Sequence, residues 1–267
     1  MEKESRFERG YKKLLEIDGK AGQEVENNLK DICPDLGKYI IEYSFGDIYS
    51  REGLDLKSKE IAVVASLTAL GNAEPQLKVH INGALNVGCT INDVKEVILQ
   101  MSGYSGFPSC INAMNALKYV LNEREKDGIK DSNGNEPTNE VSPMDRYEVG
   151  AKELSELDNN QVGILEEAYN EFSPDLVKLV VNSYADIIGR NNLNKRYRQI
   201  ATIAALTALG NAKPQLKFHI SAGLNVGLTA EEIKETMILM TVYSGFPSAI
   251  NGINVLKEVL NERKIND

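Results

Sequence analysis

The chain has 267 residues, of which 42% are hydrophobic and 26% charged, and its formal net charge is -9. This length supports one or two globular domains, and the acidic balance argues against a general surface for nucleic acids or acidic membranes. The charged N-terminus and the short apolar runs indicate neither a signal peptide nor a membrane span. Three widely spaced cysteines without a C-x-x-C pair favour reduced thiols, so we expect a cytoplasmic protein.

Helical signals follow one another through the first half of the chain. In chain order they predict helices at 7–15, 35–49, 57–70 and 75–86, a fifth helix that opens at 90, and a last one at 108–121. Pro75 suits the first turn of its helix, Gly88 supplies a left-handed stop, and Thr90 and Asp93 form a capping pattern. The triplet G-F-P at 106–108 separates the last two helices. No segment alternates convincingly as a strand does, so the pattern predicts an all-α bundle of about six helices.

A duplication organises the chain. Residues 61–124 align with 200–263, and 40 of these 64 positions are identical. Weaker similarity extends upstream, where C-P-D-L at 33–36 matches S-P-D-L at 173–176. Residues 126–143 are rich in Gly, Pro, Asp, Asn and Ser and have little to bury. The sequence therefore predicts two copies of one domain, at 1–125 and 144–267, joined by a linker at 126–143.

His80 and His219 are the two histidines of the chain, and they occupy equivalent positions in the two copies. Imidazole is the side chain whose ordinary pKa lies nearest neutrality, which makes it a natural proton donor or acceptor. A histidine held by hydrogen bonds within a helix-packing surface explains the same pattern, since both copies inherited the position together. On the first interpretation, His80 and His219 are the candidate catalytic residues.

Charged residues near the histidines are further candidates. Glu60 lies near the start of the preceding helix and is a candidate to orient His80, although the second copy has Gln199 at that position. A solvated carboxylate at a helix end is the alternative. Arg51 and Arg190 occupy equivalent loops and are candidates to bind a substrate carboxylate in a fork geometry, or else are plain loop arginines.

Two helix-to-helix turns share the sequence Y-S-G-F-P-S, at 104–109 and 243–248. Each turn offers a phenol, hydroxyls and free backbone amides at the start of a helix, where anions are stabilised. The candidate substrate-binding residues here are Tyr104, Tyr243, Ser105 and Ser244. The alternative is that the glycine and proline form the corner and the phenylalanine fills the core.

The sequence carries no motif for a metal or a phosphate. It has no glycine-rich phosphate loop, no H-E-x-x-H and no cluster with metal-ligand spacing. We therefore expect neither a metal nor another cofactor. Cys89 and Cys110 become Leu228 and Ala249 in the second copy, so the two copies share no thiol chemistry.

Three segments together resemble the carboxymuconolactone decarboxylase family. They are G-D-I-x-x-R-x-G-L at 46–54, L-x-x-H-I-x-x-A-L-N-x-G-x-T at 77–90 and Y-x-G-F-P at 104–108. The resemblance implies two tandem copies of an all-α, roughly six-helix domain with the alkylhydroperoxidase D-like fold. It also implies a cofactor-independent carboxy-lyase acting on a carboxymuconolactone-like small organic acid. In that enzyme His80 and His219 are the proton donors and Glu60 orients the ring.

The chain departs from that family at defined positions. The peroxidase branch has a C-x-x-C pair upstream of the histidine, where this chain has Ala73 and Gln76 in the first copy. Decarboxylase members usually carry an arginine two residues after the histidine, where this chain has Asn82 and Ser221. The alternative function is a redox-linked or non-catalytic assembly role, of which the redox version is disfavoured by the missing pair.

The resemblance also carries an expectation about assembly. The family's single-copy decarboxylases form hexameric rings, so a chain with two fused copies is expected to close the same ring as a homotrimer. The expected partner is a small organic acid, and neither nucleic acid nor membrane is expected to bind.

Overall fold

The computed structural model describes residues 4–19, 24, 27–139, 141–142 and 144–266. Within these residues the chain forms thirteen α-helices and no strand. The first half contains α1 (Arg6–Asp18), α2 (Pro34–Tyr39), α3 (Leu56–Leu70), α4 (Glu74–Asn86), α5 (Ile91–Gln100) and α6 (Ser102–Lys126). The second contains α7 (Arg146–Leu157), α8 (Gln161–Tyr169), α9 (Pro174–Ser183), α10 (Lys195–Leu209), α11 (Lys213–Asn225), α12 (Ala230–Tyr243) and α13 (Gly245–Asn266). Of the helices described, none is both long and apolar enough to cross a membrane.

The all-α prediction is confirmed, and most predicted helix ends lie within a few residues of the observed ones. Thr90 accepts a hydrogen bond from the backbone of Asp93 in a full capping box at the start of α5. Gly88 has a φ of 96° and Gly106 a φ of 82°, so both glycines occupy a backbone conformation that other residues rarely adopt. The corner at Gly106 therefore changes the direction of the chain within α6, as the G-F-P triplet predicts.

One predicted helix has a different internal geometry. The segment predicted as a helix at 35–49 begins as α2 and continues as a π-helix, π1 (Ile40–Tyr49). Its counterpart in the second half, π2 (Tyr184–Ile188), follows α9 in the same way. π-Helical turns are rare and often occur at functional sites. Here the last residues of π1 and π2, Tyr49 and Ile188, lie near His80 and His219 respectively.

The two copies pack around one shared centre. Helices α3 and α10 lie against each other, and every residue of α3 from Ser58 to Ala69 is buried. In α10 every residue from Arg198 to Ala208 is buried as well. One hydrophobic core cluster accordingly includes residues of both halves. The domain boundaries at 125 and 144 stay a prediction, because much of the core belongs to both copies.

Reciprocal ion pairs connect the halves. Arg51 donates to Glu235 through Nη2 and Nε, at 2.5 and 2.6 Å, and the equivalent Arg190 donates to Glu96 through Nη2 at 2.8 Å. Both glutamates are buried, with 3% of each side chain exposed. When residue A contacts residue B and the equivalent pair makes the same contact in reverse, the two copies are related by an approximate two-fold rotation.

The predicted linker packs along the protein surface. The carbonyl oxygens of Ser132 and Asn133 accept hydrogen bonds from the backbone amides of Ile91 and Asn92, at 2.9 and 3.0 Å. These amides belong to the first turn of α5, where a helix leaves its donors unsatisfied. Farther on, Asn139 donates to the carbonyl of Gly189 in the second half. The segment therefore caps a helix of one copy and then binds the other.

Close backbone packing of α1 on π1 generates a stability prediction. A Cβ atom on Gly10 would lie 2.0 Å from the carbonyl oxygen of Ile41, so Gly10→Ala must push the two helices apart. We expect a loss of about 1–3 kcal/mol in the free energy of unfolding, measured by urea denaturation. Gly163→Ala in α8 is the matched control, because its Cβ would meet nothing within 4 Å. Alanine there should stabilise the helix by up to about 1 kcal/mol. Equal stability of Gly10→Ala and the parent would contradict this account of the contact.

Candidate active site

The His80 ring is fixed at both of its nitrogen atoms. Nδ1 lies 2.9 Å from Glu60 Oε2, and because a carboxylate only accepts, Nδ1 carries a proton and donates it. Nε2 lies 3.0 Å from the Tyr243 hydroxyl, which in turn lies 2.8 Å from the hydroxyl of Tyr49. The Tyr49 ring stacks on the imidazole, with ring centroids 6.4 Å apart. The ring therefore has one defined tautomer when neutral, and its free nitrogen faces a phenol.

Acidic groups set the charge of this site. Burial lowers the pKa of His80, but the Glu60 charge, its hydrogen bond and the charge of Asp18 together outweigh burial, so the net pKa is raised. Glu60 is fully buried, and its Oε1 has no hydrogen-bond partner. Burial raises the pKa of Asp18 to about 7, with a further contribution from Glu60 and an opposing one from His80. Two carboxyl groups and one imidazole thus lie together in a buried site.

The second half builds the same arrangement without charges. His219 Nδ1 lies 2.9 Å from Gln199 Oε1, and Nε2 lies 3.1 Å from the Tyr104 hydroxyl. Since the amide oxygen accepts from Nδ1, Nε2 is the unprotonated nitrogen and accepts from Tyr104. Burial lowers the pKa of His219 to about 3, and no acid opposes this effect. His219 is therefore neutral at physiological pH, whereas the acidic neighbours of His80 shift its pKa in the opposite direction.

Each tyrosine serves the histidine of the other copy. Tyr243 belongs to the second half and contacts His80, while Tyr104 belongs to the first half and contacts His219. Both phenols are buried, and burial raises their pKa values, that of Tyr104 to about 12. They remain protonated and can donate to an imidazole nitrogen. Neither site is complete within one copy.

The other predicted site residues lie elsewhere. Arg51 and Arg190 use their guanidinium groups in the ion pairs between the halves, and neither contacts a histidine. Ser105 and Ser244 direct their hydroxyls to the backbone carbonyls of Met101 and Met240, each at 3.1 Å. A substrate-binding role for these four residues stays a prediction. The structure brings together Glu60, His80 and Tyr243 in one site, and His219 and Tyr104 in the other.

Three residues of these sites were missed by the sequence analysis. Tyr49 and Asp18 surround His80, and Gln199 holds the ring of His219. The exchange of Glu60 for Gln199 is visible in the repeat alignment, and it signals that the two imidazoles have unlike partners. Nothing in the sequence marks Asp18, because its contact with this site depends on how α1 packs on α4.

A cavity of about 590 Å³ lies beside His219. Its walls come from α7, α8, α9, π2 and α11 of the second half, and from Gln100, Gly103 and Tyr104 of the first half. Ile188, which lines the cavity, occupies the position that Tyr49 holds in the first half. The position whose tyrosine stacks on His80 in the first half therefore holds a smaller aliphatic side chain at this cavity.

The two buried cysteines lack the features of reactive thiols. Cys89 and Cys110 are buried, and burial raises their pKa values to about 12 and about 11. A nucleophilic or redox-active cysteine needs a lowered pKa, because the thiolate is the reactive form. Cys33 is exposed and lies apart from the other two cysteines in the sequence.

Comparison with known proteins supports the family resemblance. The model of the carboxymuconolactone decarboxylase family matches residues 34–119 and again residues 174–258, which together make up more than half of the chain. The chain belongs to the carboxymuconolactone decarboxylase family. The two matched regions correspond to the two copies of the duplication. Each contains one histidine and the tyrosine that contacts the histidine of the other copy.

Two relatives of this family member are named as decarboxylases. The 4-carboxymuconolactone decarboxylase of Acinetobacter baylyi is 33% identical over 125 residues, which are 46% of this chain and 92% of that protein. The nitrosuccinic acid decarboxylase of Metarhizium robertsii is 30% identical over 120 residues, 44% of this chain and 82% of that protein. These relatives support a decarboxylase-like character for the family member described here.

A solved structure shows the same fold over nearly the whole chain. A chain described as a gamma-carboxymuconolactone decarboxylase subunit, from Burkholderia xenovorans, superposes with a TM-score of 0.57 and 22% identity. The match covers 96% of this chain and 98% of that chain. The tandem arrangement of two family domains therefore has a counterpart of nearly the same extent.

The unlike partners of the two imidazoles generate a titration prediction for this family member. Because the chain has two histidines, NMR can follow each ring separately. We expect His80 to titrate above its ordinary pKa of 6.5 and His219 to stay neutral down to about pH 4. His80 then stabilises the fold below pH 6.5, and this contribution is lost as the pH rises through its raised pKa. For His219 the sign is opposite, so stability falls as the pH drops from 6.5 towards 3.

Exchanging the partners provides the control. Glu60→Gln should lower the pKa of His80, because burial then acts with less opposition, and Gln199→Glu should raise that of His219. Both substitutions keep an oxygen that accepts from Nδ1. If the two pKa values do not respond to the exchange, the electrostatic account of the sites is wrong.

Proposed function

We propose that the chain is a cofactor-independent decarboxylase of a small organic acid and that His80 is its proton donor. The observation that carries the proposal is the fixed His80 ring, with Nδ1 on Glu60 at 2.9 Å and Nε2 on Tyr243 at 3.0 Å. The named relatives support the reaction class. The pairing of Glu60 with His80 supports the assignment of the proton donor to the first half.

The reaction asks little of the protein beyond binding and one proton. The bond between the carboxylate and its carbon breaks, CO₂ leaves, and the electron pair delocalises into a neighbouring carbonyl of the substrate. The resulting enolate takes a proton at carbon, and a positioned imidazolium is suited to supply it. Glu60 keeps His80 charged before the transfer, and the neutral ring afterwards recovers a proton from solvent. The Tyr243 hydroxyl is hydrogen-bonded to Nε2, so the proton can pass along this hydrogen bond. The same hydroxyl can donate a hydrogen bond to the oxyanion that develops on the substrate.

The two histidines are unequal candidates in this mechanism. His219 lacks an acidic partner, and burial holds it neutral, so it cannot act as an imidazolium near pH 7. Proton donation by both histidines, as the sequence predicts, would require an acid beside each ring. We therefore assign the chemistry to the half that contains Glu60.

The redox alternative receives little support from the thiols. Cys89 and Cys110 have raised pKa values and no cysteine neighbour within a C-x-x-C motif. A purely structural role of the assembly is the remaining alternative, and it predicts no turnover of any acid. The free cysteines agree with the proposed cytoplasmic location.

Substitution of the histidines tests the proposal. His80→Gln keeps a donor for Glu60 and about the same volume but cannot transfer a proton, so decarboxylation should fall by about 10²–10⁴-fold. His219→Gln is the matched control from the other half and should retain most of the activity. CO₂ release measures both variants, with 4-carboxymuconolactone, β-keto acids and nitrosuccinate as substrates; in nitrosuccinate the nitro group takes the electron pair in place of a carbonyl. Full activity of His80→Gln, or loss of activity only in His219→Gln, would contradict the assignment of the proton donor. If the unaltered chain releases CO₂ from none of these acids, the proposed reaction is wrong.

A homotrimer is the proposed assembly. Phe107 and Ile111 on α6 are 73% and 59% exposed, and the equivalent Phe246 and Ile250 on α13 are 59% and 57% exposed. Exposed apolar side chains that cluster in equivalent places are typical of contact surfaces between subunits.

Light scattering tests this assembly. We expect a particle of about three times the chain mass of 29.5 kDa. Phe107→Glu combined with Phe246→Glu should shift the mass downwards, since buried charges at a contact are unfavourable. A clean monomer of the unaltered chain would refute the trimer.

A further inference from the structure

The cavity beside His219 differs chemically from the site around His80. It has a volume of about 590 Å³, within the size range of pockets that bind small molecules. None of its twenty lining residues is Asp, Glu, Lys or Arg. From this cavity we infer a second binding site, which takes an uncharged, largely apolar small molecule and not the organic acid of the proposed decarboxylation.

Three polar residues of the cavity wall, Gln100, Tyr104 and His219, already take part in hydrogen bonds within the protein. Gln100 donates through Nε2 to the carbonyl of Arg198 and to Thr202 Oγ1, at 2.8 and 2.7 Å. Its Oε1 accepts from Arg198 Nη1 at 3.2 Å. Tyr104 and His219 share a hydrogen bond at 3.1 Å. Further neutral polar residues line the cavity, namely Gln161, Tyr169, Tyr184 and Gln215. They can hold a hydroxyl or carbonyl group of a ligand, which suits a phenol, an ester or a lactone.

No positive charge is available to an anion in this cavity. Arg198 lies behind Gln100, is fully buried, and directs Nη2 to Glu96 at 2.9 Å instead of into the cavity. Arg190 is bound to the same carboxylate. His219 is neutral because burial lowers its pKa to about 3. A carboxylate in the cavity would lose hydration without gaining an oppositely charged partner, which is unfavourable.

Comparison of the two halves distinguishes this cavity from a packing defect. At equivalent positions the second half has Gln199 for Glu60 and Ile188 for Tyr49, and these two exchanges remove a charge and a bulky ring from the same place. The hydrogen bonds of the imidazole are preserved in both halves, at 2.9 Å to Nδ1 and at 3.0 or 3.1 Å to Nε2. The second site therefore keeps the hydrogen bonds of its imidazole, with an uncharged side chain in place of Glu60 and a smaller one in place of Tyr49.

Two fluorescent probes with one skeleton test this inference in the full chain. N-phenyl-1-naphthylamine is uncharged, and 8-anilino-1-naphthalenesulfonate adds one sulfonate to the same skeleton. The chain has no tryptophan, so the emission of either probe can be followed without indole background. We expect saturable binding of the amine at one site and at least tenfold weaker binding of the sulfonate there.

NMR locates the binding without any substitution. The uncharged probe should shift the ring signals of His219 and leave those of His80 unchanged. Equal affinity for both probes, perturbation of His80 instead of His219, or no saturable binding of the amine would each overturn the inference. These readouts involve no turnover, so they are independent of whether the proposed decarboxylation is correct.

A matched pair of variants tests the charge argument. Ile188→Arg places a guanidinium on the cavity wall. It should weaken binding of the amine at least tenfold and reduce the ratio between the affinities for the amine and for the sulfonate. Leu179→Arg adds the same charge on α9, where the leucine is 69% exposed and does not line the cavity, and should leave both affinities unchanged. Equal effects of the two variants would show that the cavity does not discriminate by charge. If Ile188→Arg fails to fold, the probe comparison and the NMR shifts on the unaltered chain still decide the question.

Discussion

The packing of α3 against α10 positions both histidine sites. These two helices carry Glu60 and Gln199, which hold the imidazoles of α4 and α11 at Nδ1. Each hydroxyl on Nε2 comes from the opposite copy, so its position depends on how the halves pack. A change that moved the copies apart would therefore alter both rings at once. The Glu60 carboxylate is buried, and one of its oxygens lacks a hydrogen-bond partner among the described residues, which lowers the stability of the fold. We attribute the presence of this unfavourable group to its effect on the pKa of His80.

Local sequence signals were sufficient to predict most helices, because caps, glycine stops and prolines act within a few residues. Thr90 with Asp93 and Gly106 with Pro108 are examples whose geometry the structure confirms. The π-helix at Ile40–Tyr49 was predicted as an ordinary helix. Within it the backbone of Ile41 lies close to Gly10 of α1, a contact between residues far apart in the sequence. Periodicity in so short a segment does not distinguish 3.6 residues per turn from the wider π geometry.

Long-range partners explain what the sequence could not predict about the sites. Arg51 pairs with a residue 184 positions away, so its loop sequence gives no sign that Glu235 occupies the guanidinium. The two YSGFPS turns are identical, and they cannot reveal which tyrosine meets which histidine. The difference between Glu60 and Gln199, however, is visible when the two copies are aligned. It is the one electrostatic difference between the sites that the aligned copies show before their packing is known.

The segment between Lys126 and Arg146 joins two copies that would otherwise meet as separate molecules. In a dimer of identical chains every substitution occurs twice, so one charged and one neutral imidazole could not coexist. Covalent fusion removes that restriction, and each pocket can specialise while the shared centre stays the same. It also replaces a bimolecular encounter by an intramolecular one, with an effective concentration in roughly the millimolar range for short tethers. Paired sites of this kind should remain assembled at dilutions where an unfused pair would separate.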